Sequence, residues 1–147
     1  MEVLYSYAHV IHLILAIMFL GFVFTDIAVL SALNGKLDKD TKKKINQALG
    51  KRSFRIFPLS LLFLILTGGI MLSRYMNSTV GYLDNNLQKI LTFKIFLVLL
   101  IAIGVGYNMY IKFSGKTKIH FMQHHFHKLV FVLGFFIILA AKLMFIL

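Results

Sequence analysis

The chain has no cysteine, no tryptophan and a single proline among its 147 residues. Without cysteine it can form neither a disulfide nor a thiolate metal site. Acidic residues are also scarce: Asp and Glu total 5 against 16 Lys and Arg, and the formal net charge is +11. The basic residues fall between apolar runs and form no patch interleaved with aromatic side chains, so we expect no nucleic acid partner.

Sequence motifs typical of soluble enzymes are missing as well. The sequence contains no Gly-rich phosphate loop, no nucleophile–base pair and no nucleotide-binding unit. What it has in abundance is apolar side chains, at 59% of residues with a mean hydropathy of +0.84. A soluble protein of this size has no interior large enough for them, so the surrounding solvent is expected to be lipid. The first apolar run is too long for a cleavable signal peptide and lacks a basic leader.

Four apolar runs are long enough to cross a bilayer, which takes about 20 residues. We therefore predict an all-α, polytopic membrane four-helix bundle that forms a single domain over 1–147. Its helices are expected at about 4–33, 55–75, 89–112 and 124–147. Lipid is then the expected partner. The sequence does not determine the oligomeric state, and a homo-oligomer is one of the states it allows.

The basic residues of the connections predict the orientation. The connections 34–55 and 112–128 are rich in lysine, so the positive-inside rule places both in the cytoplasm and both termini outside. The polar stretch 40–50 is predicted to be a short interfacial helix whose lysines meet anionic lipid. Pro58 is expected in the first turn of the second span, where a missing N–H is tolerated.

Ionisable side chains inside the spans are the candidate functional residues, because a charge at membrane depth costs about 2.5 kcal/mol or more. His9 and His12 lie in the first span, and Lys94 lies about one turn inside the third. Asp26 follows His12 by fourteen residues, as Asn108 follows Lys94, and this spacing leaves each pair within about 40° on one helix face. Both faces are therefore expected to point into the bundle.

Three functions are compatible with these residues. A bis-histidine haem is disfavoured because the second and third spans hold no histidine, but one haem b on His12 or His9, with Lys94 or Met71 as a second ligand, fits the predicted depths. Copper is the alternative, since imidazole and thioether both bind it; its ligands would be His9, His12 and Met71, with Met144. The third interpretation is a structural or assembly subunit whose polar residues only fix helix packing.

A second histidine cluster precedes the fourth span. His120, His124 and His127 share a helix face and could converge on a metal, with His125 beside them. No carboxylate or cysteine accompanies them, and solvation or contact with lipid phosphate is the alternative interpretation.

Two stretches resemble the HemJ family of protoporphyrinogen oxidases and the related CopD copper-resistance membrane domain. The segment Tyr7–His12 is similar to the family's first helix, with its histidine at His12. The segment Leu91–Leu99 resembles the third helix, whose Leu-His-x-Lys motif places its lysine on Lys94. The resemblance implies that His12 and Lys94 hold a haem b and are both needed for oxidation of protoporphyrinogen. It also implies a bacterial inner-membrane location, with a quinone acceptor and respiratory or haem-biosynthesis partners, or copper transport on the CopD side.

The resemblance extends to the second helix, where Arg55–Pro58 and Thr67–Gly69 are similar to the family pattern. The sequence departs from that pattern at three points. Thr92 replaces the histidine of the Leu-His-x-Lys motif, Thr25–Leu30 replaces a Pro-Arg run after the first helix, and the usual tryptophans are absent.

Overall fold

The computed structural model describes residues 2–116 and 125–147, which form four long helices. The helices are α1 (Glu2–Phe24), α2 (Lys39–Tyr75), α3 (Asn86–Ser114) and α4 (Phe126–Leu143). Helix α1 continues through a π-helical segment, Thr25–Leu30, into a 3₁₀ turn, Ser31–Leu33. Within these ranges no strand is present, only an isolated bridge between Asn77 and Gly81. The predicted all-α four-helix class is confirmed.

The helices form an antiparallel ring. Helix α1 packs closely along α2 and α3 along α4, while α1 also touches α4 and α2 touches α3 more lightly. At one end Tyr75 contacts both Tyr5 and Phe145, so the start of α1 and the segment that follows α4 lie together. We call this the terminal end. The opposite end, where α1 joins α2 through the lysine-rich connection, is the basic end.

The apolar core lies in the half of the bundle toward the basic end. Phe19 of α1 stacks on Phe57 of α2 with ring centroids 4.5 Å apart, and Val23, Ile101 and Val130 close around them. Elsewhere the helices turn apolar side chains outward, and only 11–22% of each apolar window is buried. Each helix is long and apolar enough to cross a membrane. The chain is therefore a multi-pass membrane protein whose outer surface is solvated by lipid.

Helix α2 differs from the sequence-based expectation. The polar stretch 40–50 is helical, but it is continuous with the membrane-spanning part, so the prediction of a separate interfacial helix is wrong. No residue ends the helix between the polar and the apolar part. The Ser53 hydroxyl donates to the Leu49 carbonyl within the same helix. Pro58 consequently lies well inside α2 and not in its first turn. A helix of 37 residues is about 55 Å long against a hydrocarbon core of about 30 Å, so its basic half extends beyond the bilayer core.

The basic half of α2 is held at its start by a cap and by the end of α1. The Asp38 carboxylate accepts a hydrogen bond from the Thr41 backbone N–H at 2.9 Å. Hydrogen bonding to the Thr41 side chain, and then to this N–H, lowers the pKa of the Asp38 carboxyl. Leu30 and Leu33 enclose a small apolar gap with Ile45 of α2. The two chain segments therefore form a short hairpin, which we call the basic arm (residues 27–55).

Gln88 anchors the connection between α2 and α3 at the terminal end. Its side chain is fully buried, and its amide Nε2 donates to the carbonyls of Tyr75 at 3.0 Å and Gly81 at 3.1 Å. Its Oε1 accepts from the Asp84 backbone N–H at 2.8 Å. Gly81 has φ +85°, a conformation that favours glycine. The buried Gln88 amide thus forms hydrogen bonds to backbone groups of the loop, which lipid could not provide.

Two glycines of α3 give a matched test of this packing. A Cβ at position 104 would lie 2.6 Å from the Phe126 ring, whereas a Cβ at position 106 would meet nothing within 4 Å. We expect Gly104→Ala to destabilise the bundle by about 1–3 kcal/mol through overpacking. Gly106→Ala should stabilise it by about 0.5–1 kcal/mol through helix propensity. Thermal unfolding in one detergent measures both; equal shifts would contradict the α3–α4 contact.

Candidate functional site

His12 is the histidine of α1 that faces another helix. Its Nδ1 lies 2.8 Å from Oγ1 of Thr67 on α2. Thr67 is buried, and the imidazole is half-buried. Gly68 leaves room for the ring, because a Cβ there would stand 3.3 Å from His12 Cε1. The Thr67–Gly68 pair therefore acts as a seat for His12.

The hydrogen bonds of Thr67 assign the tautomer of His12. The Thr67 hydroxyl has one proton, and it donates to the Phe63 carbonyl at 2.7 Å, with the Leu64 carbonyl at 3.2 Å. Oγ1 is then the acceptor toward His12, so Nδ1 carries the imidazole proton. Nε2 is left with its lone pair, so it is the ring nitrogen that can bind a metal or accept a proton.

Lys94 and Met71 lie on the neighbouring helices at this level. Lys94 of α3 is half-buried. Met71 is half-buried one helical turn from Thr67 toward the terminal end. Of the predicted residues, His12 thus contacts another helix through Thr67, while Lys94 and Met71 are half-buried on α3 and α2.

His9 takes a different position. It is exposed, and its ring meets Tyr5 edge-on with centroids 6.0 Å apart. Since residues three apart on a helix differ by about 60° in direction, the sequence alone allowed either histidine to point inward. The structure selects His12 as the one seated between helices.

A second polar contact joins α1 to α4 near the basic end. Asp26, in the π-helical segment of α1, bonds through Oδ2 to His127 Nδ1 of α4. The two side chains retain 34% and 38% exposure, and the His127 ring packs against Phe57 and Phe126. His12 and Asp26, which the fourteen-residue spacing places on one face of α1, are therefore both turned to partner helices. Asn108, the counterpart on α3, bonds within its own helix to the Gly104 carbonyl.

The predicted metal cluster before α4 is only partly described. His120 and His124 lie outside the described residues, so convergence of these histidines stays a prediction. His127 bonds to Asp26. Across residues 2–116 and 125–147, no three His, Cys, Asp or Glu side chains group to hold a metal ion.

Sequence reasoning missed the partners of the polar groups. The contact of His12 with Thr67 and the Tyr5–Tyr75 hydroxyl contact at 3.0 Å are not predicted by the sequence analysis. The signal for Thr67 is its position as a hydroxyl in the middle of an apolar run. The signal for the Asp26–His127 pair is that each is an ionisable group placed just inside the basic end of its span.

Comparison with known proteins adds no family to this description. No family model, no curated protein and no solved structure matches the chain.

The tautomer assignment can be tested with Thr67→Val, which keeps the shape of the side chain and removes the acceptor. In the wild type, nitrogen NMR of labelled protein should show a neutral His12 protonated at Nδ1. The valine variant should lose this preference, because Nδ1–H then has no hydroxyl to bond. Ser73→Ala, which removes an exposed hydroxyl of α2, is the control. An unchanged His12 spectrum in Thr67→Val would contradict the assignment.

The Asp26–His127 pair predicts non-additive stability. Asp26→Leu and His127→Phe should each lower thermal stability, by about 1–3 kcal/mol, because each leaves one polar partner unpaired. The double variant should be more stable than either single variant, since no unpaired group remains. Lys128→Gln, an exposed neighbour on α4, should have no measurable effect. Additive losses in the double variant would show that the two side chains are not coupled.

Proposed function

We propose that the protein binds haem b, with Nε2 of His12 as the axial ligand and Lys94 as the second ligand or charge partner. The observation that carries the proposal is the His12–Thr67 hydrogen bond. Imidazoles that ligate metals almost always donate their other ring N–H to an oxygen, which fixes both tautomer and orientation. Thr67 does this for His12 before any metal is present.

Lys94 supports haem in either of two roles. A neutral amine is a ligand for iron, and an ammonium compensates the charge of an anionic cofactor. A half-buried lysine with apolar neighbours along α3 costs free energy that a purely structural role leaves uncompensated. His9 is exposed, so we assign it no ligand role in the haem proposal.

Bound haem b would supply one-electron redox chemistry. The chain's own residues then set its surroundings: His12 orients on Thr67, Lys94 places a positive charge or a proton beside it, and the apolar helices exclude water. On this basis we propose a membrane oxidoreductase of the kind that the HemJ resemblance implies, with a quinone as electron acceptor and the haem toward the terminal end. A location in a bacterial inner membrane, with both termini outside the cytoplasm, belongs to the same proposal.

The visible spectrum and metal content of the purified protein test the proposal. Wild-type protein should show a Soret band that is lost in both His12→Ala and Lys94→Ala. His9→Ala and Lys142→Ala, which change exposed residues of the same end, should keep it. Each variant should first be shown to retain its helical circular dichroism.

Other results would favour the rival functions. A colourless protein that retains copper, and loses it in His12→Ala and Met71→Leu, would replace haem by a CopD-like copper function. A protein that holds neither cofactor, with polar-residue variants that change only stability, would leave a structural or assembly role.

A further inference from the structure

Polar and aromatic side chains continue the His12 seat toward the terminal end. On α2, Thr67 and Tyr75 are separated by two turns and lie on one face. On α1, Tyr5 lies seven residues before His12, which is about 10 Å along the helix. The Tyr5 and Tyr75 hydroxyls meet at 3.0 Å, as His12 and Thr67 meet at 2.8 Å. The α1–α2 interface thus has a polar contact at the site and another near the membrane surface.

Arg74 stands at the surface end of this interface. Its guanidinium carbon lies 4.5 Å from the centroid of the Tyr5 ring, a cation–π distance that fixes the side chain over α1. Glu2 and Asp84 are the acidic residues of this end, but in the described ranges the ion pair between Asp26 and His127 is the one formed. The guanidinium is therefore positioned and carries no carboxylate partner.

The C-terminal end of α2 repels an anion less strongly here than a helix end with unpaired carbonyls would. The last carbonyls of a helix carry partial negative charge when they are unpaired. Here the Leu72 carbonyl accepts from the Met76 N–H at 3.0 Å, and the Tyr75 carbonyl accepts from Gln88. The guanidinium remains the dominant charge beside the tyrosine hydroxyls.

We propose that Arg74, oriented by Tyr5 and flanked by the Tyr75 hydroxyl, binds a carboxylate of the tetrapyrrole whose iron is held by His12. This inference rests on the proposed function. Haem b carries two carboxylates on flexible arms along one edge of its ring, and a carboxylate is the anion that a guanidinium binds in bidentate fashion. The ring would therefore lie with its anionic edge toward the terminal end and its apolar edge toward the core.

The test compares haem b with its dimethyl ester, in which both carboxylates are blocked. Each porphyrin is titrated into apoprotein in one detergent, and Kd is read from the Soret band. The ratio of the two Kd values in Arg74→Gln is compared with the wild-type ratio, so that partition of the ester into detergent cancels. Because Arg74 is exposed, the pair is partly screened by solvent, and the substitution should lower the preference for haem b by about two- to fivefold.

Two further variants sharpen the result. Arg74→Lys should give an intermediate preference, because lysine keeps the charge but not the planar fork. Lys142→Gln, which removes another exposed cation of the terminal end, should keep the wild-type ratio. His12→Ala should abolish the Soret titration of both porphyrins, because it removes the iron ligand that the two share.

The outcomes separate this inference from the function on which it rests. If Arg74→Gln weakens both porphyrins equally, or leaves the ratio unchanged, Arg74 does not bind the carboxylate although His12 still binds the iron. If the wild type binds neither porphyrin through His12, both proposals are wrong. If Lys142→Gln lowers the ratio as much as Arg74→Gln does, the effect is general charge and the assignment to Arg74 fails.

Discussion

In a hydrocarbon environment a polar side chain finds no water, so its hydrogen bonds must be made to another part of the protein. Helix α1 meets this constraint twice, since His12 bonds to Thr67 of α2 and Asp26 bonds to His127 of α4. The apolar contacts around Phe19 lie between these two bonds along the helix. Helix α1 is consequently held on two sides and at two depths, against α2 and against α4.

The same bond between His12 and Thr67 has both a packing role and a chemical one. It links two helices that otherwise meet through apolar side chains and the Tyr5–Tyr75 hydroxyl contact, and it determines which imidazole nitrogen keeps a lone pair. Gly68 belongs to this arrangement because a larger residue would press on the ring. A substitution at the seat therefore changes helix packing and ligand chemistry together, and the two effects have to be measured separately.

Much of the architecture could be predicted from the sequence, because the apolar runs required by a bilayer are long and separated by charge. The inward face of α1 could be predicted as well, since helical periodicity places His12 and Asp26 on the same side of the helix. The choice between His9 and His12 could not, because it depends on the rotation of α1 about its axis, which the seat at Thr67 decides. The continuity of α2 was also missed: a change from polar to apolar composition resembles a boundary, but the backbone has no residue that breaks the helix there.

The basic arm prevents the protein from reversing its orientation once it has inserted into the membrane. The segment 34–55 holds eight basic residues, Lys36, Lys39, Lys42, Lys43, Lys44, Lys51, Arg52 and Arg55. Because this part of α2 is one rigid extension of a spanning helix, reversing the protein would draw those charges through the hydrocarbon together. At about 2.5 kcal/mol for each charge, the barrier is of the order of 20 kcal/mol. Whichever orientation the chain takes on insertion, thermal motion will not invert it, and the two ends of the bundle keep facing different compartments.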